Sequence, residues 1–475
     1  MRIAVVGGGI AGLTAAYRLR QALGDDAELT VFDAADRPGG KLRTESLAGV
    51  DVDVGAEAFL VRRPEAVALA EELGFGERVV HPTSMRPLVR AGGRTATLPT
   101  GTLMGIPASA EQVAGVLSED GVAAVAAEPS LPPPEPLDHD VSLGALLRER
   151  FGDELVDRLV DPLLAGVYAG GADSLGLLAV LPALAERIDA GTASLTEAVA
   201  GLLPPASTSS EAPVFGTLPG GLGVLVDALV DATRAEVVTG AVVRELRRTE
   251  PGWTLSVTSA AGTRTEDCDA VLLAVPAPAA RKLLASAGAE RAASDLADIE
   301  LASMAVVALA LPSGTALPEA SGILIGVGET WDDGTPFTAK AFTLSSRKWA
   351  HLESDHDGPV LLRGSVGRFG EQGTLRATDD ELIRRVRADL AELTGITAQP
   401  VAATVCRWGG GLPQYGVGHL ERVARVERDV AALGRIALAG ATWHGVGIPA
   451  CVGTASAAAH ELADQLLSAS ALVGD

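Results

Sequence analysis

The chain opens with five residues of strand-like apolar character, Arg2 to Val6, that run into three glycines and then a helical pattern. A second apolar run, ELTVF, follows after one helix length and ends at Asp33. RPEAVALAEELGFG has helical spacing closed by Gly74, and PLVRAGGRTATLP alternates around a Gly-Gly turn as a hairpin does. From Ser109 to Ala206 Ala and Leu recur every three or four residues, which predicts helices broken by the proline-rich EPSLPPPEPLD. PASTSSEAPVFG reads as a polar loop and GGLGVLVDALVDAT as a helix. AEVVTGAVVREL, WTLSVTSAAGT, CDAVLLAVP, MAVVALAL, PVLLRGSV and RIALAG read as strands. DDELIRRVRADLAELTG and a closing segment from about Gly453 to Leu467 read as helices. Strands alternating with helices predict an α/β protein.

Composition narrows the class. Of 475 residues 47% are hydrophobic and 21% charged, as in a globular protein of two or three domains. A net charge of −23 excludes nucleic acid as a partner and weighs against a basic grip on anionic lipid. Cys268, Cys406 and Cys451 are far apart and match no metal spacing, so they are expected as reduced thiols of a cytoplasmic protein. The seven histidines (81, 139, 351, 356, 419, 444 and 460) show no ligand spacing either, and no metal is expected. No secretory signal is expected, because the N-terminal apolar stretch is short and lacks a cleavage site, and no transmembrane segment, because LGLLAVLPALAERI is short and contains Pro182.

Candidate chemistry starts at the first turn. Gly7, Gly9 and Gly12 occupy the places of GxGxxG between a strand and a helix. Those glycines serve the sharp turn, the approach of a pyrophosphate and close helix–strand packing. Gly8, Ile10 and Ala11 complete the turn, and Asp33, 21 positions after Gly12, stands where a ribose acceptor belongs, followed by Ala34. The segment RPGGK (Arg37, Gly39, Gly40, Lys41) adds glycines and cations that a plain nicotinamide site has no need of. Gly55, Ala56, Glu57 and Ala58 offer backbone against which an isoalloxazine ring can lie. Near the other end, Val446, Gly447 and Ile448 open a helix rich in small residues, whose positive end suits a reduced flavin. Two such devices at opposite ends of the chain imply one extended cofactor, FAD.

GGGIAG, RPGGK, DVGAEAF and AGATWHGVGIPACV together resemble the FAD-dependent amine oxidase and protoporphyrinogen oxidase superfamily. DPLLAGVYAGG, TLPGGLGVLVDAL and RWGGGLPQYGVGHLERV are similar to the porphyrinogen oxidases within it, over nearly the whole chain. The resemblance implies a Rossmann-like FAD-binding domain of the glutathione-reductase/amine-oxidase type, a mixed β substrate domain and a helical insert. The boundaries expected are 1–80, 215–290 and 405–475 for the discontinuous FAD domain, 81–214 for an insert facing substrate or membrane, and 291–404 for the mixed α/β domain.

Protoporphyrinogen oxidases of the family carry an arginine after LPTG; here Leu103 and Met104 stand there, as in the Gram-positive type that acts on coproporphyrinogen III. The implied reaction is oxidation of coproporphyrinogen III to coproporphyrin III in haem biosynthesis, by three hydride transfers to flavin N5 with oxygen as acceptor and hydrogen peroxide released. Protoporphyrinogen IX is the alternative substrate; amine oxidase, carotenoid desaturase and non-catalytic flavin scaffold are remoter alternatives. Resemblance places the Gly166 carbonyl and Leu324, with Met104, Ile323 and Ile325, against the macrocycle, and Trp408 and Val243 near the flavin and its adenine half. No acid–base residue is implied, and His419 is expected in a structural hydrogen bond. Arg62 and Arg63 are the nearest cations for propionates. A ferrochelatase partner follows from pathway logic, and peripheral contact with the inner face of the cell membrane is left open.

Overall fold

A strand buried on both faces needs parallel neighbours and helices above and below it. Arg2–Val6 is such a strand: it pairs in parallel with Glu28–Phe32 on one side and Ala270–Leu273 on the other. In the computed structural model, which describes residues 1–204, 213–250, 252–353, 358–371 and 373–473, Glu236–Val238 and Ile436–Leu438 complete a five-stranded parallel sheet. His356 and most of the polar loop expected at 205–216 lie outside the described residues.

One face of this sheet is covered by the first helix, Ile10–Leu23, and the closing helix, Ile448–Val473. Leu13 and Leu19 share a core with Val452, Ala455, Ala459 and Leu462, so the two ends of the chain meet in one layer. The closing helix starts five residues earlier than its spacing predicts. Pro449 sits in the first turn, where its missing N–H leaves no bond unmade, and the Cys451 N–H already donates to the Gly447 carbonyl.

The run AEVVTGAVVREL is two strands rather than one. Glu236–Val238 ends in the parallel sheet, the chain turns at Gly240 (φ +61°), and Val242–Arg248 begins a three-stranded antiparallel sheet with Trp253–Ser259 and Gly262–Cys268.

A second large sheet has seven strands, in the order Ala402–Pro413, Leu301–Leu311, Val360–Val366, Ala339–Thr343, Gly322–Ile325, Leu88–Ala91 and Arg94–Thr97. The predicted hairpin at residues 88–97 is therefore its edge, so the sheet takes two strands from the segment 81–214 expected as a helical insert and runs past the boundary expected at 404. Ala402–Pro413 was not legible as a strand, because Gly409 to Gly411 interrupt its alternation. Helix Asp379–Thr394 covers one face of this sheet, ending at Gly395 in the left-handed region.

The segment from Ser109 to Leu202 is mostly helical, as its spacing predicts. Its proline-rich connector is anchored by Glu128, fully buried, which receives Arg150 (2.6 Å) and the Leu195 and Thr196 amides (2.8 and 3.2 Å). No described helix is long and apolar enough to cross a membrane.

Candidate active site

The first turn is held by contacts that only glycine allows. Gly7 has φ +109°, and a Cβ there would lie 2.3 Å from the Ala274 carbonyl oxygen; one on Gly12 would lie 1.8 Å from the Gly7 oxygen. Gly9 differs: its backbone is extended, and the nearest atom to a Cβ would be Gly40 Cα at 3.9 Å. A cradle is thus left open between the turn and the second glycine pair, where Gly39 bridges Gly9 and donates to the Gly8 carbonyl at 2.7 Å. No side chain caps the helix at Gly9, so its first amides are free for an anion. Asp33 receives the amides of Gly8 (2.7 Å) and Ala35 (2.8 Å), which fixes its carboxylate at the strand end. Ala34 is exposed beside it. Gly240 and Ala241 bond back to Ala35 and Asp33, bringing half-buried Val243 into the same neighbourhood.

Arg37 spends its guanidinium on the carbonyls of Pro38 (3.0 Å) and Gly40 (3.2 Å), shaping the basic turn from within. Lys41 is driven below the usual ammonium range by burial. Its carbonyl receives the Ala56 amide at 3.0 Å, and a Cβ on Gly55 would lie 2.0 Å from that carbonyl oxygen and 3.0 Å from the Trp408 ring. Trp408 in turn donates to the Val54 carbonyl (2.9 Å). Gly440 closes the ring of segments, with the space for its Cβ bounded by Ala11 at 3.5 Å. These contacts bring the first turn, 37–41, 53–58, Trp408 and 440–448 together. Ala58, half-buried, ends the third of these, and Gly447 is exposed where the closing helix begins at buried Ile448.

Glu57 turns its carboxylate the other way. It receives Lys348 (2.5 Å), Trp349 Nε1 (3.0 Å) and Arg363, whose charges hold it at about 2 against the cost of burial. Arg363 also donates to the Asp53 carbonyl (2.6 Å), while burial pushes the Asp53 carboxyl up to about 6. The large sheet is thereby locked to the 53–58 loop. No local motif marks these pairs, which span some 300 positions.

In strand Gly322–Ile325, alternation separates the residues expected against a macrocycle. Ile323 and Ile325, each 1% exposed, join Phe342 in the core beneath helix Asp379–Thr394. Leu324 faces the opposite way, packing on the helical layer together with Met104 and Val446. Met104 is the first of two positive-φ residues (+50°, then Gly105 at +89°) in the tight turn between Thr102–Leu103 and Ile106–Pro107. That costs a non-glycine residue about 1 kcal/mol. Gly166, on helix Asp161–Val167, is exposed and a Cβ there would meet nothing within 4 Å. Arg62 and Arg63 lie exposed on the loop before helix Pro64–Glu72, with Arg63 paired to Glu65 at 2.8 Å.

The PQYGVGH segment is structural glue. Gln414 donates to the Tyr168 carbonyl (2.8 Å), Tyr415 donates to the Ala441 carbonyl (2.6 Å) and accepts from the Gly445 amide (2.8 Å). His419 stacks on Tyr415 at 3.9 Å and is held neutral by burial at about 4, so its Nε2–H donates to the Trp443 carbonyl (3.2 Å). Among the described residues no cluster of three His, Cys, Asp or Glu could hold a metal.

Known proteins sharpen this geometry. Residues 10–463 match the model of the flavin containing amine oxidoreductase family. The chain is 45% identical to a coproporphyrinogen III oxidase of Mycobacterium bovis, over 97% of each chain. It is 31% identical to the coproporphyrinogen III oxidase of Bacillus subtilis, over 98% of each. The crystal structure of a protein from Exiguobacterium sp. 255-15 assigned as a protoporphyrinogen oxidase superposes with a TM-score of 0.85 at 29% identity, covering 98% of this chain and 99% of that one.

Proposed function

The chain belongs to the flavin-containing amine oxidoreductase family, and from that membership we propose that it is an FAD-dependent oxidase converting coproporphyrinogen III to coproporphyrin III. The observation that carries the reading is the 45% identity, over 97% of both chains, with a relative of that name. Met104 supports it: a hydrophobic turn, not an arginine, packs on the same helical layer as Leu324.

Gly7 to Gly12, with Asp33, Arg37 to Lys41 and the 53–58 loop, fit FAD. The open cradle at Gly9 takes the pyrophosphate, the uncapped helix amides neutralise it, and Asp33 receives a ribose hydroxyl. Bound FAD supplies the two-electron acceptor, with oxygen as its final oxidant. The protein's share is placement. In this reading Leu324 and Met104 give the macrocycle an apolar wall, the Gly166 carbonyl accepts a pyrrole N–H, and Val446 closes the flavin side. Glu57, paired to Lys348 and Arg363, holds the flavin loop against the substrate sheet. Its product serves haem synthesis, with a ferrochelatase as the consuming partner, in the cytoplasm or on the inner membrane face.

The test is aerobic turnover of the yellow purified protein with coproporphyrinogen III and protoporphyrinogen IX, followed by porphyrin fluorescence. The expected result is a higher kcat/KM for coproporphyrinogen III. The Exiguobacterium likeness favours protoporphyrinogen IX as the second reading, and preference for it would leave the fold assignment standing and reverse the substrate.

A further inference from the structure

Two cationic side chains at the large sheet, Lys340 and Arg368, end in buried donors that no described residue receives. Lys340 is 3% exposed and its Nζ has no hydrogen-bond partner among the described residues. Arg368, just beyond the neighbouring strand Val360–Val366, gives one Nη to the Ile325 carbonyl (2.7 Å) and leaves its buried Nε unpaired.

Their placement follows from a fault in the sheet. Pairing with Val360–Val366 shifts register between Ala339 and Ala341, so Lys340 is the extra residue of a bulge. Ala339 and Phe342 both lie in the core beneath helix Asp379–Thr394. Lys340 is thereby turned to the other face, which Ala341 shares with its cross-strand partner Leu324. Helix Asp161–Val167 packs over this strand and over Gly322–Ile325, and it is the helix on which Gly166 borders open space.

Two carboxylates are near. Glu371 is exposed, and Asp161 has its Oδ1 occupied by the Ala172 amide (2.6 Å); neither bonds to the orphaned donors. Burial first, and then the charge of Arg368, pull the Lys340 ammonium down to about 7 against the smaller opposing pull of Glu371.

We propose that Lys340 and Arg368 form a carboxylate-binding subsite on the substrate face of the sheet, which receives one propionate of the porphyrinogen. This rests on the porphyrinogen reading above. A carboxylate there satisfies both donors at once and gives a buried, charge-assisted pair, whereas a site for an uncharged edge of the macrocycle has no use for two buried cations.

Lys340→Met and Arg368→Gln, made in the flavin-loaded full chain, test it. Each is expected to raise KM for coproporphyrinogen III by about tenfold to a hundredfold. Each is expected to weaken coproporphyrin III binding, read by flavin fluorescence without turnover, to a similar degree. Substrate-free Lys340→Met is expected to melt no lower than wild type, because a buried unpaired charge has gone. Unchanged KM and porphyrin affinity in both variants overturn the subsite and leave the porphyrinogen reading intact, as does a lowered Tm with unchanged affinity. Should Lys340→Met fail to fold, Arg368→Gln decides by the same readouts. A wild-type holoenzyme that neither binds nor oxidises porphyrin overturns both.

Discussion

Gly12 lies so close beneath Gly7 that a Cβ on Gly12 would stand 1.8 Å from the Gly7 carbonyl oxygen, closer than two unbonded atoms can come. Gly9, three residues earlier, has an ordinary extended backbone, and a Cβ there would come no nearer than 3.9 Å to another residue. The two glycines of one motif therefore serve different ends. Gly12→Ala is expected to cost about 3 kcal/mol or more, through forced displacement of helix or turn. Gly9→Val is expected to fold with a wild-type circular dichroism spectrum and to carry no flavin. A yellow Gly9→Val protein would refute the pyrophosphate cradle.

Glu57 joins the 53–58 loop to Lys348, on helix Ser345–Lys348, and to Arg363 of the large sheet. Glu57→Gln leaves two cations facing a neutral amide in a nearly dry site, and is expected to cost about 3–5 kcal/mol in denaturant unfolding. Its carboxyl lies at about 2 in the folded protein, so its contribution is complete above pH 4.5 and is lost as pH falls toward 2. A loss of less than about 1 kcal/mol at neutral pH would show the pair to be incidental.

His419 titrates at about 4 when folded, below its ordinary 6.5. A depressed histidine adds stability above 6.5 and loses it as pH falls toward 4, because the unfolded chain takes up the proton first. Asp53, raised to about 6 from 3.8, acts in the opposite sense: its contribution is full below 3.8 and is lost as pH rises through 6. The two offset each other in wild type, so the histidine shows only by difference. Between pH 7 and 5, wild type is expected to lose about 2 kcal/mol more than His419→Asn in urea unfolding. Parallel curves for the two proteins would sink this assignment.

Arg63 is half exposed and already paired with Glu65. Exposed pairs of this kind are worth less than about 1 kcal/mol, so Arg63→Ala is expected to change KM for porphyrinogen by no more than about threefold. A larger rise, with flavin content unchanged, would assign a propionate to this loop.

Much of the cofactor side was legible because its signals are local. A strand, three glycines at fixed spacing, a helix and an acid 21 residues on prescribe one turn, and backbone sterics permit little else there. The α/β alternation, the hairpin at 88–97 and helix Asp379–Thr394 were legible for the same reason: periodicity is a property of neighbours. What only the tertiary structure decided depends on residues far apart in the chain. Helix His419–Ala431, hidden behind a motif that drew attention to its first residue, and strand Ala402–Pro413, masked by three glycines, are fixed by what they pack against. The face on which a side chain lies is of the same kind. Ile323, Leu324 and Ile325 read alike as apolar residues, yet strand pairing buries two in the core and turns one toward the helices. Lys340 carries no signal in sequence at all, because a bulge set by register against Val360–Val366 turns it to the face of Leu324. Local sequence determines conformation through short-range sterics, whereas which charges are buried without a partner depends on which surfaces the folded chain closes together.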